Sequence, residues 1–112
     1  MPLLEIITNV AIEDKQSMAM KASKFTAELL GKPESYVMVR LQSEQTLTFA
    51  GNANPAALIK LKSLGLPEEN TTTLSSSICN FINTELTISS QRIYIEFSNP
   101  ERHMWGWDNR TF

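Results

Sequence analysis

Cysteine, histidine and glycine are all scarce in this sequence, and each scarcity removes a class of chemistry. A single cysteine, Cys79, excludes an intramolecular disulfide, a thiolate zinc site and a dithiol redox pair. The one histidine, His103, sits in the polar segment Asn99-Pro100-Glu101-Arg102 with no second metal ligand at useful spacing, so a solvent-exposed loop side chain is expected there and no metal site. Four scattered glycines leave no phosphate-cradling loop, and Ser75-Ser76-Ser77 lacks the Gly-x-Ser-x-Gly frame of a hydrolase nucleophile. Positive charge is not in excess: ten Lys and Arg against twelve Asp and Glu give a net charge of -2, so the footprint needed for nucleic acid is missing. No run approaches the roughly 18 apolar residues of a membrane span. The start, Met1-Pro2-Leu3-Leu4-Glu5, lacks the basic region of a secretory signal. A cytoplasmic protein with no membrane association is therefore expected. With 112 residues, 42% hydrophobic and 20% charged, the chain has the size and balance of a single domain spanning 1–112 that holds by packing alone.

Hydrophobic periodicity supplies the architecture. Leu3 to Ile7 is a short branched run that reads as a strand, apolar on both faces. Met18, Ala22, Phe25 and Leu29 form one stripe of an α-helix, with Asp14 as N-cap and Gly31 as left-handed terminator. Pro33 then disfavours helical backbone at Lys32, which displays that ammonium on a fixed turn. Tyr36–Leu41 is expected to be a second strand, apolar on both sides apart from Arg40, and Thr46–Phe49 a short additional one. Alternation from Ile59 through Lys62 predicts a strand with one wetter face. Leu74, Ile78, Phe81, Ile82 and Leu86 predict a second helix, in which Cys79 is a small packing residue and the serines are solvated. Arg92–Phe97 is the last long strand, and Trp105–Arg110 a turn bearing two large aromatics.

Glu28-Leu29 and Glu85-Leu86 close the two helices 57 residues apart, as do Tyr36-Val37 and Ile93-Tyr94 at the strands that follow. The chain thus reads as β-α-β written twice, an α/β (α+β) fold with a four-stranded mixed sheet and both helices on one face. The other face is left bare. A second strand apolar on both sides demands a cover that the chain does not contain, which predicts an obligate homo-oligomer.

Pro2 is the remaining unusual residue. Methionine aminopeptidases generally remove an initiator Met that precedes a small residue such as proline. That would leave a secondary amine at the head of the first strand. An α-amino group ordinarily titrates at about 7.7 to 8.0, and burial with a neighbouring cation lowers this, giving a neutral base at pH 7. Proline in second position is also common for processing reasons alone.

Met1-Pro2, Thr8-Asn9-Val10, Gly31-Lys32-Pro33, Phe49-Ala50-Gly51, Ser63-Leu64-Gly65, Arg92-Ile93-Tyr94-Ile95 and Gly106-Trp107-Asp108-Asn109-Arg110-Thr111-Phe112, in that order and from end to end, resemble the macrophage migration inhibitory factor family of the tautomerase superfamily. The resemblance implies a homotrimer whose sheets enclose a channel, and an active site at each subunit interface. It implies a cofactor-independent keto-enol tautomerase acting on small aromatic keto or enol acids such as phenylpyruvate. Pro2, freed of Met1, would be the general base. Lys32 would bind the substrate carboxylate and keep the amine neutral. The Leu64 amide would bind substrate oxygen, Tyr94 would arrive from the adjacent subunit, and Trp105, Trp107 and Phe112 would form the apolar wall. Taken by residue type alone, Lys32 is a solvated turn lysine, and Tyr94, Trp105 and Trp107 serve equally to seal a subunit interface.

Several positions depart from the vertebrate cytokine of this family. Ala56-Ala57-Leu58-Ile59 stands where the cytokine has Cys-x-x-Cys, so thiol oxidoreductase chemistry is absent. Glu96 replaces a pocket asparagine, Lys62 a histidine, and Trp105 a smaller residue. The competing functional expectations are a cytokine-like or host-modulating protein that engages a receptor after secretion without a signal peptide, and a simple binder of small aromatic acids.

Overall fold

The computed structural model describes residues 1–112. Strand β1 (Leu3–Thr8) is followed by helix α1 (Lys15–Leu30), β2 (Met38–Gln42), β3 (Ala57–Lys62), α2 (Thr71–Leu86) and β4 (Ile93–Ser98), and the chain ends in a hairpin of β5 (Gly106–Trp107) and β6 (Arg110–Thr111). The four long strands lie in the order β2-β1-β3-β4. β1 runs parallel to β2 and antiparallel to β3, which is parallel to β4. Two β-α-β units therefore sit side by side, and the mixed sheet matches the expectation.

Both helices cover one sheet face. Leu4 and Ile6 of β1 and Ile59 and Leu61 of β3 are buried in one core with Met18 and Ala22 of α1 and Leu74, Ile78 and Ile82 of α2. Phe25 and Phe81 stack at 4.2 Å between the helices. Asp14 caps α1 by accepting from the Ser17 amide, and Gly31 closes it at φ 63°. α2 instead closes on Thr87 at φ 56°, a left-handed conformation in which a β-branched residue is strained. Thr87 is exposed, so Thr87→Gly removes no packing and should stabilise the protein by about 0.5–1 kcal/mol. An unchanged urea midpoint would show that the turn carries no such strain.

Three expectations are corrected. The second strand begins at Met38, because Glu34–Tyr36 after Pro33 form a 3-10 turn closed by Tyr36 N–H on Pro33 O and Val37 N–H on Glu34 O. Thr46–Phe49 is not a strand: Asn9 Nδ2 donates to Leu47 O and Arg92 Nη1 to Phe49 O, so side chains take carbonyls that a ladder would use. Only Phe49 and Asn52 bridge, across a tight turn with Ala50 and Gly51 at positive φ.

The third correction concerns the bare face, which is not uniformly apolar. β2 turns Val39 and Leu41 towards the core, while Met38 and Arg40 point away, with Met38 67% exposed. Pairing register aligns Arg40, Glu5, Lys60 and Glu96 in one row of alternating charge across all four strands. Arg40 and Glu5 form an ion pair at 3.2 Å. Flanking rows are Met38, Leu3, Lys62 and Ser98 on one side and Gln42, Ile7, Leu58 and Tyr94 on the other. The apolar demand for a cover thus comes from the flanking rows, at Met38 and Tyr94, and not from the middle of the sheet.

Candidate active site

Strand pairing on both sides of β1 carries the chain's start to one end of the sheet and holds it there. Pro2 is completely buried, and its carbonyl accepts from the Met38 amide at 3.0 Å, one residue beyond the β1–β2 ladder. Beside it opens a cleft of about 280 Å³. Met1, Pro2 and Leu3 form one wall, Tyr36 and Met38 a second, and Trp105, Trp107 and Phe112 the third.

The third wall is built by the terminal hairpin. Asp108 and Asn109 occupy its two-residue turn at φ 50° and 64°, the left-handed pair that this tight reversal requires and that short polar side chains tolerate. The reversal stacks Phe112 on Trp107 with ring centroids 6.1 Å apart, and Tyr36 meets Trp107 edge-on at 6.0 Å. Backbone bonds lock the arrangement: Phe112 N–H donates to Trp105 O, and Arg102 Nε donates to Phe112 O at 3.0 Å. Trp105 leans inward, its Nε1–H donating to the Met1 carbonyl at 3.1 Å, with the Lys62 ammonium 4.8 Å from its ring.

Two cations, Lys32 and Arg102, act on the α-amine of Met1. Its pKa lies below the ordinary α-amino value, first through desolvation and then through the Lys32 ammonium and the Arg102 guanidinium. Lys32 does not extend into solvent from its turn. Its Nζ donates to Leu64 O at 2.9 Å, which ties the Gly31-Lys32-Pro33 corner to the loop after β3. Leu64 has a buried side chain, and its N–H finds no backbone acceptor within the chain. Lys32, Leu64 and Arg102 stand near the amine but outside the lining of the cleft itself. No three His, Cys, Asp or Glu side chains converge into a metal-binding group.

Six of the seven residues singled out from the sequence therefore gather at one end of the sheet: Pro2, Lys32, Leu64, Trp105, Trp107 and Phe112. Tyr94 does not join them. It lies outside the cleft, 66% exposed, in the opposite row of the bare face, about 13 Å along β4 from Ser98 at the rise of an extended strand. Phe49 meets its ring edge-on at 5.0 Å. Sequence reasoning missed Tyr36, Met38 and Arg102. Tyr36 follows the Lys32 turn closely enough to have been found, whereas Arg102 stands in a polar loop that nothing in the sequence ties to Pro2. His103 is exposed, as expected, and faces Glu101 at 3.5 Å. Cys79 packs against the core, where burial raises its thiol pKa and a hydrogen bond with Ser75 opposes that shift.

The family described as macrophage migration inhibitory factor matches residues 1–112. A macrophage migration inhibitory factor homolog from Brugia malayi is 35% identical over 115 residues, covering 100% of this chain and 99% of the relative. The crystal structure of a homologue from Prochlorococcus marinus superposes with a TM-score of 0.91 at 40% identity, covering 98% of both chains. That of the factor from Trichinella spiralis gives 0.92 at 32% identity, covering 98% of this chain and 99% of the other.

Proposed function

Because the chain belongs to the macrophage migration inhibitory factor family, and so to the tautomerase superfamily, we propose that it is a keto-enol tautomerase of arylpyruvates whose base is the Pro2 amine exposed when Met1 is removed. The observation that carries this reading is the setting of the N-terminus. The Met1 amine is partly desolvated and opposed by the Lys32 and Arg102 charges, and Pro2, one residue on, is buried beside it with its carbonyl held by the Met38 amide. A secondary amine freed there meets the same opposition to protonation from burial and neighbouring charge, which favours the neutral base.

The substrate's carboxylate reaches Lys32 and the free Leu64 N–H, and its ring lies against Trp107, Phe112 and Tyr36. In the keto-to-enol direction Pro2 takes a proton from C3. The electron pair becomes the C2=C3 double bond, negative charge moves to the C2 oxygen, and the proton on Pro2 is returned to that oxygen. No cofactor enters the balance. The aromatic wall excludes water from the cleft, which strengthens each of these polar contacts.

Tyr94 completes the pocket from a neighbouring copy in a homotrimer, an arrangement supported by its exposure and its distance from Pro2 in its own chain. Mass spectrometry of the N-terminus and a phenylpyruvate assay on the same sample test the activity, and light scattering at micromolar concentration tests the assembly. The expected result is a chain beginning at Pro2, active, with the mass of three subunits. A processed chain without activity would refute the tautomerase, and an active monomer would remove Tyr94 from the site.

A further inference from the structure

We propose that Trp105 is a catalytic residue whose indole Nε1–H, released when Met1 leaves, donates a hydrogen bond to the C2 oxygen of the substrate. This role rests on Pro2 being the base. With Met1 present, the indole donor has one partner, the Met1 carbonyl at 3.1 Å. That oxygen and the Pro2 nitrogen are bonded to the same carbon and lie about 2.3 Å apart from standard bond lengths. The indole nitrogen is therefore at most about 5.4 Å from the atom that becomes the base. Cleavage of Met1–Pro2 removes the acceptor and leaves the donor facing the space that it vacates.

The geometry suits one part of the reaction better than others. Lys32 holds Leu64 O at 2.9 Å, and the carboxylate is expected at that corner, outside the aromatic lining of the cleft. The reacting carbon must stand against the Pro2 nitrogen, and the C2 oxygen, one bond from that carbon's neighbour, then comes within reach of an indole N–H at most about 5.4 Å from the same nitrogen. Negative charge develops on this oxygen as the C3 proton departs, and a fixed donor there is stronger in the transition state than in the ground state. Lys62 adds to the effect: its ammonium, 4.8 Å from the ring centroid, draws electron density from the indole and makes the N–H a better donor. The backbone bonds that fix Trp105, Phe112 N–H donating to Trp105 O and Trp105 N–H donating to Arg102 O, pre-organise the donor before substrate arrives.

The test replaces the N–H and keeps the shape. Benzothienylalanine at position 105 substitutes sulfur for the indole N–H, and Trp105→Phe keeps an aromatic wall. Each should lower kcat on phenylpyruvate about 10²-fold, the usual cost of one oxyanion donor, with little change in KM. In parallel, the ¹⁵N-resolved indole resonance of Trp105 should shift when phenyllactate, an unreactive 2-hydroxy acid, is added to the processed chain. In a chain that retains Met1 it should not move. Undiminished kcat in the benzothienylalanine protein, or an indole resonance indifferent to phenyllactate, overturns the proposal. If Pro2→Gly were as active as the parent, the assignment of the base would fail, and the indole resonance would still decide whether the donor is used.

Discussion

Pro2→Gly should slow phenylpyruvate tautomerisation by about 10²–10⁴-fold, the usual contribution of a positioned general base. Glycine keeps an amine at the chain's start but loses the ring that fixes φ and makes the nitrogen secondary. The loss should fall on kcat, because Lys32, the Leu64 N–H and the aromatic wall are untouched and substrate binding persists. Assembly should also persist, since the residue's carbonyl can still accept from the Met38 amide. A protein that keeps Met1 is the matching control. Its position-2 nitrogen is an amide with no basic lone pair, so its rate should be at least as low. Equal rates for the processed and Met1-bearing proteins would exclude Pro2 as the base.

Lys32→Ala should act twice, on binding and on the pH profile. Loss of a charge-assisted contact with the carboxylate should raise KM about 10- to 100-fold. The pH effect has a definite sign. Burial first, and then the Lys32 and Arg102 charges, lower the pKa of the Met1 amine, and a Pro2 amine one residue on would be held down by the same Lys32 cation. Removing it raises that pKa, and the acid limb of kcat/KM moves to higher pH. Arg102, the remaining cation beside the amine, keeps the limb from returning to the ordinary α-amino value. Lys32→Arg should restore the acid limb more fully than KM, because the charge survives while the bond to Leu64 O is re-formed with different geometry. A KM and an acid limb both unmoved in Lys32→Ala would leave Lys32 with only its structural bond to Leu64 O.

Much of the fold was legible because local rules and the tertiary structure agree. Met18 and Ala22 recur at helical spacing and are buried together, and Gly31 stands where α1 needs a left-handed residue. Where local rules failed, a distant side chain had decided the matter. Thr46–Phe49 has the composition of a strand, yet Asn9 and Arg92 arrive from two other elements to bind Leu47 O, Phe49 O and Asn54 O. Periodicity does not report such partners. Arg40 interrupts an apolar run, and only the pairing register reveals that it faces Glu5 in a charged row. Motif order singled out six residues that the fold brings to one end of the sheet, but not the direction of Lys32 towards Leu64, the influence of Arg102 on the Met1 amine, or the bond from Trp105 to Met1.

The burial of the first peptide bond sets an order of events in the cell. In the folded chain the Met1–Pro2 linkage is packed under Trp105, with Pro2 inaccessible and both flanking carbonyls hydrogen-bonded. A peptidase needs an extended, unpaired terminus, so removal of Met1, as proposed, would have to occur while the nascent chain is still open, before β1 pairs with β2. Synthesis that outran the peptidase would then create a second population, folded and durable, whose amine is displaced by one residue and whose defect no later exposure to the peptidase would correct. Specific activity would then vary with expression rate, and unfolding followed by refolding in the presence of the peptidase would recover the missing fraction.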